Sequence, residues 1–172
     1  MDNLIEMSKM LQQFAATPGA GGYAKAPGRD DDTPPTIYGG HKGLSKAAID
    51  ASSKISDDDT RDTLPLLKLH LRAAELHGLA AYDHKPGSDM HQYHRSRIND
   101  HEQNAFELLH YLEDFDNEEG RGQENPHRHT TLANYHINGY EDRVAKRAKL
   151  GARDLRNMKP SARVKLFGIQ RI

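Results

Sequence analysis

The feature that most restricts how this chain can fold is a stripe of histidines set among apolar residues. His70, His77 and His84 are seven residues apart, and so are His94 and His101, with His91 one helical turn before His94. Two α-helical turns take about 7.2 residues, so a repeat of seven keeps side chains on one face. On a wheel of residues 63–84, Leu66, Leu69, Ala73, Leu76 and Ala80 lie to one side of the histidines and Leu67, Ala74 and Ala81 to the other. Lys68, Arg72, Glu75 and Asp83 take the opposite face. On residues 89–115, His94 and His101 share an arc with Ile98, Ala105, Leu108, Leu109 and Leu112. Both stretches therefore aim imidazoles at a buried or partner-facing side, where a polar group is tolerated only if it is hydrogen-bonded.

The two stretches are separated by Lys85-Pro86-Gly87, a break short enough to force the helices antiparallel. Asp62 or Thr63 can cap the first, with Pro65 in its opening turn, and Ser88 or Asp89 the second. With the turn at 85–88, position 77 falls opposite 96–98 and position 70 opposite 103–105. Around this hairpin the chain divides into five parts. Residues 1–16 form an amphipathic docking helix with Leu4, Met7, Leu11 and Phe14 on one face; residues 17–42 are an arm rich in Gly, Pro and Asp. Residues 43–115 are the helical core, with a helix at about 44–56 before the hairpin (63–84, 89–115). Residues 116–139 read as an acidic, His-containing loop, and residues 140–172 as a basic helix to about Met158 followed by an extended tail.

The class this predicts is all-α. Val occurs only at Val144 and Val164, far too few β-branched residues for a sheet protein of 172 residues. Leu, Ile, Val and Phe together make 31 of 172 residues, near the border at which a chain stops folding alone, so the core is modest and the arms are expected to order on partners. There is no Cys, which excludes disulfides and thiolate chemistry. No apolar run approaches a membrane span, and MDNLIEMSKM lacks a signal-peptide layout. The expected location is cytoplasmic or virion, with no membrane partner. Charge is uneven. Residues 143–172 hold ten Lys or Arg against Asp154 alone, so this tail carries +9 in a chain of net charge −1, and the rest carries −10. Arg143, Lys146, Arg147, Lys149, Arg153, Arg156, Arg163 and Lys165 are candidate contacts to an acidic protein surface or to nucleic acid.

Three readings of the histidines stand side by side. In the first, neutral imidazoles fill the space between helices and hydrogen-bond there. In the second they hold zinc or another divalent ion: His77, His94 and His101 are the favoured trio because the last two straddle the first, with His70 added and Glu102 or Glu107 as carboxylate ligands. In the third they form a pH switch, since imidazoles charge near pH 6.5. Catalytic motifs fail on inspection. His101-Glu102 lacks the second histidine of His-Glu-x-x-His, and Glu107-Leu108-Leu109-His110 is a single copy of a di-iron spacing. Gly19–Ala24 has the letters of a dinucleotide fingerprint without the strand it needs.

In general style (a helical core, long Gly/Pro arms, no Cys or Trp, a basic tail) the chain resembles small accessory virion proteins of tailed phages. Its alternating His and Ala helices also resemble His-punctuated helical hairpin proteins. The resemblance implies a non-enzymatic structural component of a large assembly, with no resident cofactor, partnered by other proteins or copies of itself. The alternatives are a metal-binding hairpin and a nucleic-acid-binding protein that works through its tail.

Overall fold

Residues 73–81, Ala-Ala-Glu-Leu-His-Gly-Leu-Ala-Ala, are all buried, so the helix that carries them has no solvent face through two and a half turns. Small side chains make this feasible, because they let neighbouring helices approach from several directions at once. The computed structural model describes residues 34–35, 40–55, 62–119, 125–159 and 162, and the protein is all-α. Four α-helices are described: α1 (Gly43–Ser52), α2 (Thr63–Ala80), α3 (Asp89–Glu119) and α4 (Arg128–Asn157), with a 3-10 turn at Ala81–Asp83 after α2. No helix among the described residues is long and apolar enough to cross a membrane. The docking face Leu4, Met7, Leu11 and Phe14, most of the arm, Arg163 and Lys165 lie outside the described residues, and so does the side chain of Arg156.

α2 is the hub of two apolar clusters. One joins Leu44, Ala48 and Ala51 of α1 to Ala73, Leu76, Leu79 and Ala80 of α2, and Leu155 closes it from the end of α4. The other joins Leu67, Leu71 and Ala74 of α2 to Ala105, Leu109 and Leu112 of α3 and to Ala133, Ile137 and Tyr140 of α4. Pro65 sits in the first turn of α2, where its missing N–H has no partner to lose. Asp62 takes the N-cap position without a side-chain cap bond. Ser88 does cap α3: its Oγ accepts from the His91 N–H at 3.4 Å and its carbonyl from the Gln92 N–H at 2.9 Å. Gly87, at φ +82°, makes the turn before it in a conformation that an L side chain disfavours.

The boundaries differ from the sequence reading at four places. α1 stops at Ser52 rather than near residue 56, and the first hairpin helix gives way at Ala80 to the 3-10 turn. The 116–139 stretch is largely helical: α3 continues to Glu119 and α4 already begins at Arg128. Thr130, Thr131, Asn134, Asn138 and Gly139 are weak helix formers, so local propensity pointed to a loop. Packing overrides it, because Ala133, Ile137 and Tyr140 share one face and bury it on α2 and α3. A cap from the preceding helix starts α4. Asp116 accepts the Thr130 N–H at 2.7 Å and the His129 Nδ1–H at 2.8 Å, so His129 and His136 are helical residues, not loop residues. Finally, Gly151 interrupts α4 at φ +73°, and this re-aims the last turns so that Leu155 reaches α1 and α2.

Gly78 marks the tightest approach. A Cβ placed there would lie 2.6 Å from Nη1 of the buried Arg147. Exchanging Gly for Ala in a helix gains up to about 1 kcal/mol of propensity, and overpacking a core loses about 1–3 kcal/mol. Gly78→Ala is therefore expected to destabilise the fold by about 1 kcal/mol in urea unfolding. The same change in an Arg147→Ala background is expected to stabilise it.

Candidate functional site

Three heptad stripes meet where α1, α2 and α3 pack. α1 contributes Ser45 and Ser52, α2 contributes His70 and His77 with His84 just past the 3-10 turn, and α3 contributes His94 and His101. Ser45, His70, His77, His94 and His101 are each no more than 6% exposed, and His77 and His94 are fully buried. Their polar atoms join into one unbroken chain. His84 Nε2 lies 2.6 Å from Ser45 Oγ, which lies 3.1 Å from His94 Nε2. His94 Nδ1 meets His77 Nδ1 at 2.7 Å, and His77 Nε2 meets Ser52 Oγ at 2.7 Å. Ser52 Oγ lies 2.8 Å from His101 Nε2, and His101 Nδ1 lies 3.0 Å from His70 Nδ1. The pairing of 77 with 94 and of 70 with 101 runs α2 and α3 in opposite directions. His77 sits between His94 and His101, with ring centroids at 5.0 Å and 5.7 Å. The Tyr93 ring stands edge-on to both His77 and His94.

The environment favours the neutral form of His77, His84, His94 and His101. Burial, reinforced by the neighbouring rings and by Arg97, lowers His77 from 6.5 to about 2. Burial, then His84, His41 and His91, lowers His94 to about 3; burial, then His70 and Arg97, lowers His101 to about 3. His84 is also lowered by burial, against a pull upward from Asp83.

A second buried polar group lies on the α4 side of α2. Arg143 Nε donates to both carboxylate oxygens of Glu75, at 2.8 and 3.0 Å, and Arg147 Nη1 donates to the Glu75 carbonyl at 3.4 Å. The Tyr140 hydroxyl donates a short hydrogen bond to Glu102 Oε1. Burial pushes both carboxyls up; Arg143 chiefly opposes this at Glu75, and Tyr140 with Arg147 at Glu102. The same burial, with the Glu102 charge, raises Tyr140 well above its usual value.

These contacts sort the candidate residues. The four histidines of the metal reading, His70, His77, His94 and His101, come together, but each ring nitrogen in the contacts above faces another nitrogen or a hydroxyl at hydrogen-bond distance. Among the described residues, no group of three or more His, Asp or Glu is placed to hold a metal ion. Glu102 faces Tyr140 and Glu107 is exposed. Of the basic candidates, Lys146, Lys149 and Arg153 are exposed, Arg147 is buried against the Glu75 carbonyl, and Arg143, whose side chain stays 38% exposed, pairs with the Glu75 carboxylate. Sequence reading missed Ser45, Ser52 and the pairing of Glu75 with Arg143. The signal for the serines was present, because Ser45 and Ser52 repeat the spacing of seven that marked the histidines. No protein-family model, curated protein or solved structure matches the chain.

Ser52 bridges two buried rings, so Ser52→Ala removes two hydrogen bonds and strands two nitrogens. An unsatisfied buried polar group costs about 1–3 kcal/mol. The substitution is expected to lower stability by about 3 kcal/mol in denaturant unfolding, whereas Ser53→Ala, at an exposed position, is expected to change it by less than about 0.5 kcal/mol.

Proposed function

We propose that this protein is a non-enzymatic structural component of a larger assembly, whose helical body is firm at neutral pH and opens on acidification. The observation that carries this is the chain from His84 to His70: seven groups, none of them an acid, five of them buried and Ser52 and His84 half-buried, running between α1, α2 and α3. Side chains spent on one another in this way hold a scaffold together. A partner would be met by the exposed Lys146, Lys149 and Arg153 and by the outward aromatics Tyr111 and Tyr135, which are 59% and 73% exposed. A tailed-phage virion is the setting that the style of the sequence suggests.

The sign of the acid response follows from the groups around the rings. α1 brings Ser45, Ser52 and the preceding His41; α2 brings His70, His77 and, beyond the turn, Asp83 and His84; α3 brings His91, His94, Arg97 and His101. Among the described residues that shift these rings, Asp83 is the one carboxylate, and it raises His84. The unfolded chain binds protons on these rings below pH 6.5, and the folded chain resists doing so until about pH 2–3 for His77, His94 and His101. Their contribution is therefore intact above pH 6.5 and declines as pH falls. Each ring contributes a slope of about 1.4 kcal/mol per pH unit, which for three rings gives a loss of about 6 kcal/mol by pH 5. A domain of this kind has about 5–15 kcal/mol in total. Glu75 and Glu102, whose values are raised, act in the opposite sense and offset part of the loss.

Far-UV circular dichroism between pH 7.5 and 5 is expected to show reversible loss of helix and a melting temperature lower by roughly 15 °C. Unchanged helicity and melting temperature over that range would sink the acid response. Native mass spectrometry at pH 7.5 tests the rest. A metal-free chain or oligomer is expected, and a stoichiometric mass increment removed by a chelator would put the metal reading first.

A further inference from the structure

The proton inventory of the buried chain leaves it little freedom. A neutral imidazole has one N–H and one bare nitrogen, and a serine hydroxyl has one proton to give and can accept. His94, His77 and His101 each use both nitrogens, and Ser45 and Ser52 each stand between two rings. Each of the six contacts needs one proton and rejects two. If every group is neutral and each hydroxyl donates to one of its two rings, all the donors must point the same way along the chain, so there are only two arrangements. Pointing from His84 towards His70, the N–H sits on Nε2 of His84, Nδ1 of His94, Nε2 of His77, Nδ1 of His101 and Nε2 of His70. Pointing the other way, every ring carries the opposite tautomer.

We propose that the chain His84–Ser45–His94–His77–Ser52–His101–His70 is a proton shuttle with these two polarities. A proton bonding to Nδ1 of His84 displaces the Nε2 proton onto Ser45, whose own proton passes to His94 Nε2. The Nδ1 proton of His94 moves to His77 Nδ1, and the Nε2 proton of His77 moves to Ser52. The Ser52 proton moves to His101 Nε2, the Nδ1 proton of His101 to His70 Nδ1, and His70, which keeps 6% of its surface exposed, gives up its Nε2 proton to water. One proton enters, one departs, no net charge remains, and every tautomer has inverted. The next transfer must run backwards, so the device is a two-state shuttle rather than a one-way pump. His84, the half-buried end, is its outer port.

The shuttle uses the same rings as the proposed acid response but does not depend on it. Acid melting needs only that the rings be neutral, whereas the shuttle needs them ordered head to tail at a pH where the fold is intact. The test is long-range 1H–15N spectroscopy of the ring nitrogens in the full ¹⁵N-labelled chain at pH 7.5. Wild type is expected to show alternating tautomers along His84, His94, His77, His101 and His70, in one pattern or in two exchanging ones. His84→Lys makes the outer end a pure donor and His84→Glu a pure acceptor. At His101 the N–H is then expected on Nδ1 in the lysine variant and on Nε2 in the glutamate variant, with His70 opposite in each. The same tautomer at His101 in both variants, a hydroxyl accepting from both its rings, or an imidazolium in wild type at pH 7.5 would overturn the proposal. Should either variant fail to fold, the alternation in wild type still decides it.

Discussion

The arrangement depends on one constraint: α2 is enclosed on every side from Ala73 to its end at Ala80, yet it carries Glu75 and His77. His77 is fully buried and Glu75 only 4% exposed, so the neighbouring helices supply their partners. Residues 75 and 77 are two apart on a helix and point about 200° away from each other. This assigns roles to the other elements. α4 answers Glu75 with Arg143 and Arg147, while α1 and α3 answer His77 with Ser52 and His94. The same enclosure explains Gly78, since the guanidinium that reaches the Glu75 carbonyl occupies the space a Cβ would take.

Most of the hub was legible because it rests on periodicity. The spacing of seven at His70, His77, His94 and His101, within apolar arcs and across a Lys-Pro-Gly break, is a property of the chain alone, and all four residues are buried. What periodicity could not supply was identity of partner. A wheel shows that Arg143 and Arg147 share a side of α4, but it does not show a carboxylate waiting there, so a count of charges assigned both to an outside surface. The start of α4 was hidden for a related reason. Its cap is Asp116, on another helix, and no local signal at 125–128 announces it. The serines were hidden differently: Ser45 and Ser52 sit beside Leu44 and Ala51, and a small polar residue on a short helix draws no notice until its ring partners are known.

The two flanks of α2 solve the burial of polar groups by opposite chemistry, and this has a consequence for pH. Towards α4 the solution is ionic, and burial makes the carboxylates reluctant to stay charged, so mild acid relieves Glu75 and Glu102. Towards α1 and α3 the solution is neutral, and burial makes the rings reluctant to become charged, so mild acid strains His77, His94 and His101. One helix thus carries two acid responses of opposite sign. The ion pairs keep counter-charges within reach of Glu75, which limits what protonation can gain there. Among the described residues the one carboxylate beside the ring chain is Asp83, and it acts on His84 at the outer end, so a proton arriving at His77, His94 or His101 meets no counter-charge there and either moves along the chain, as proposed, or forces the helices apart.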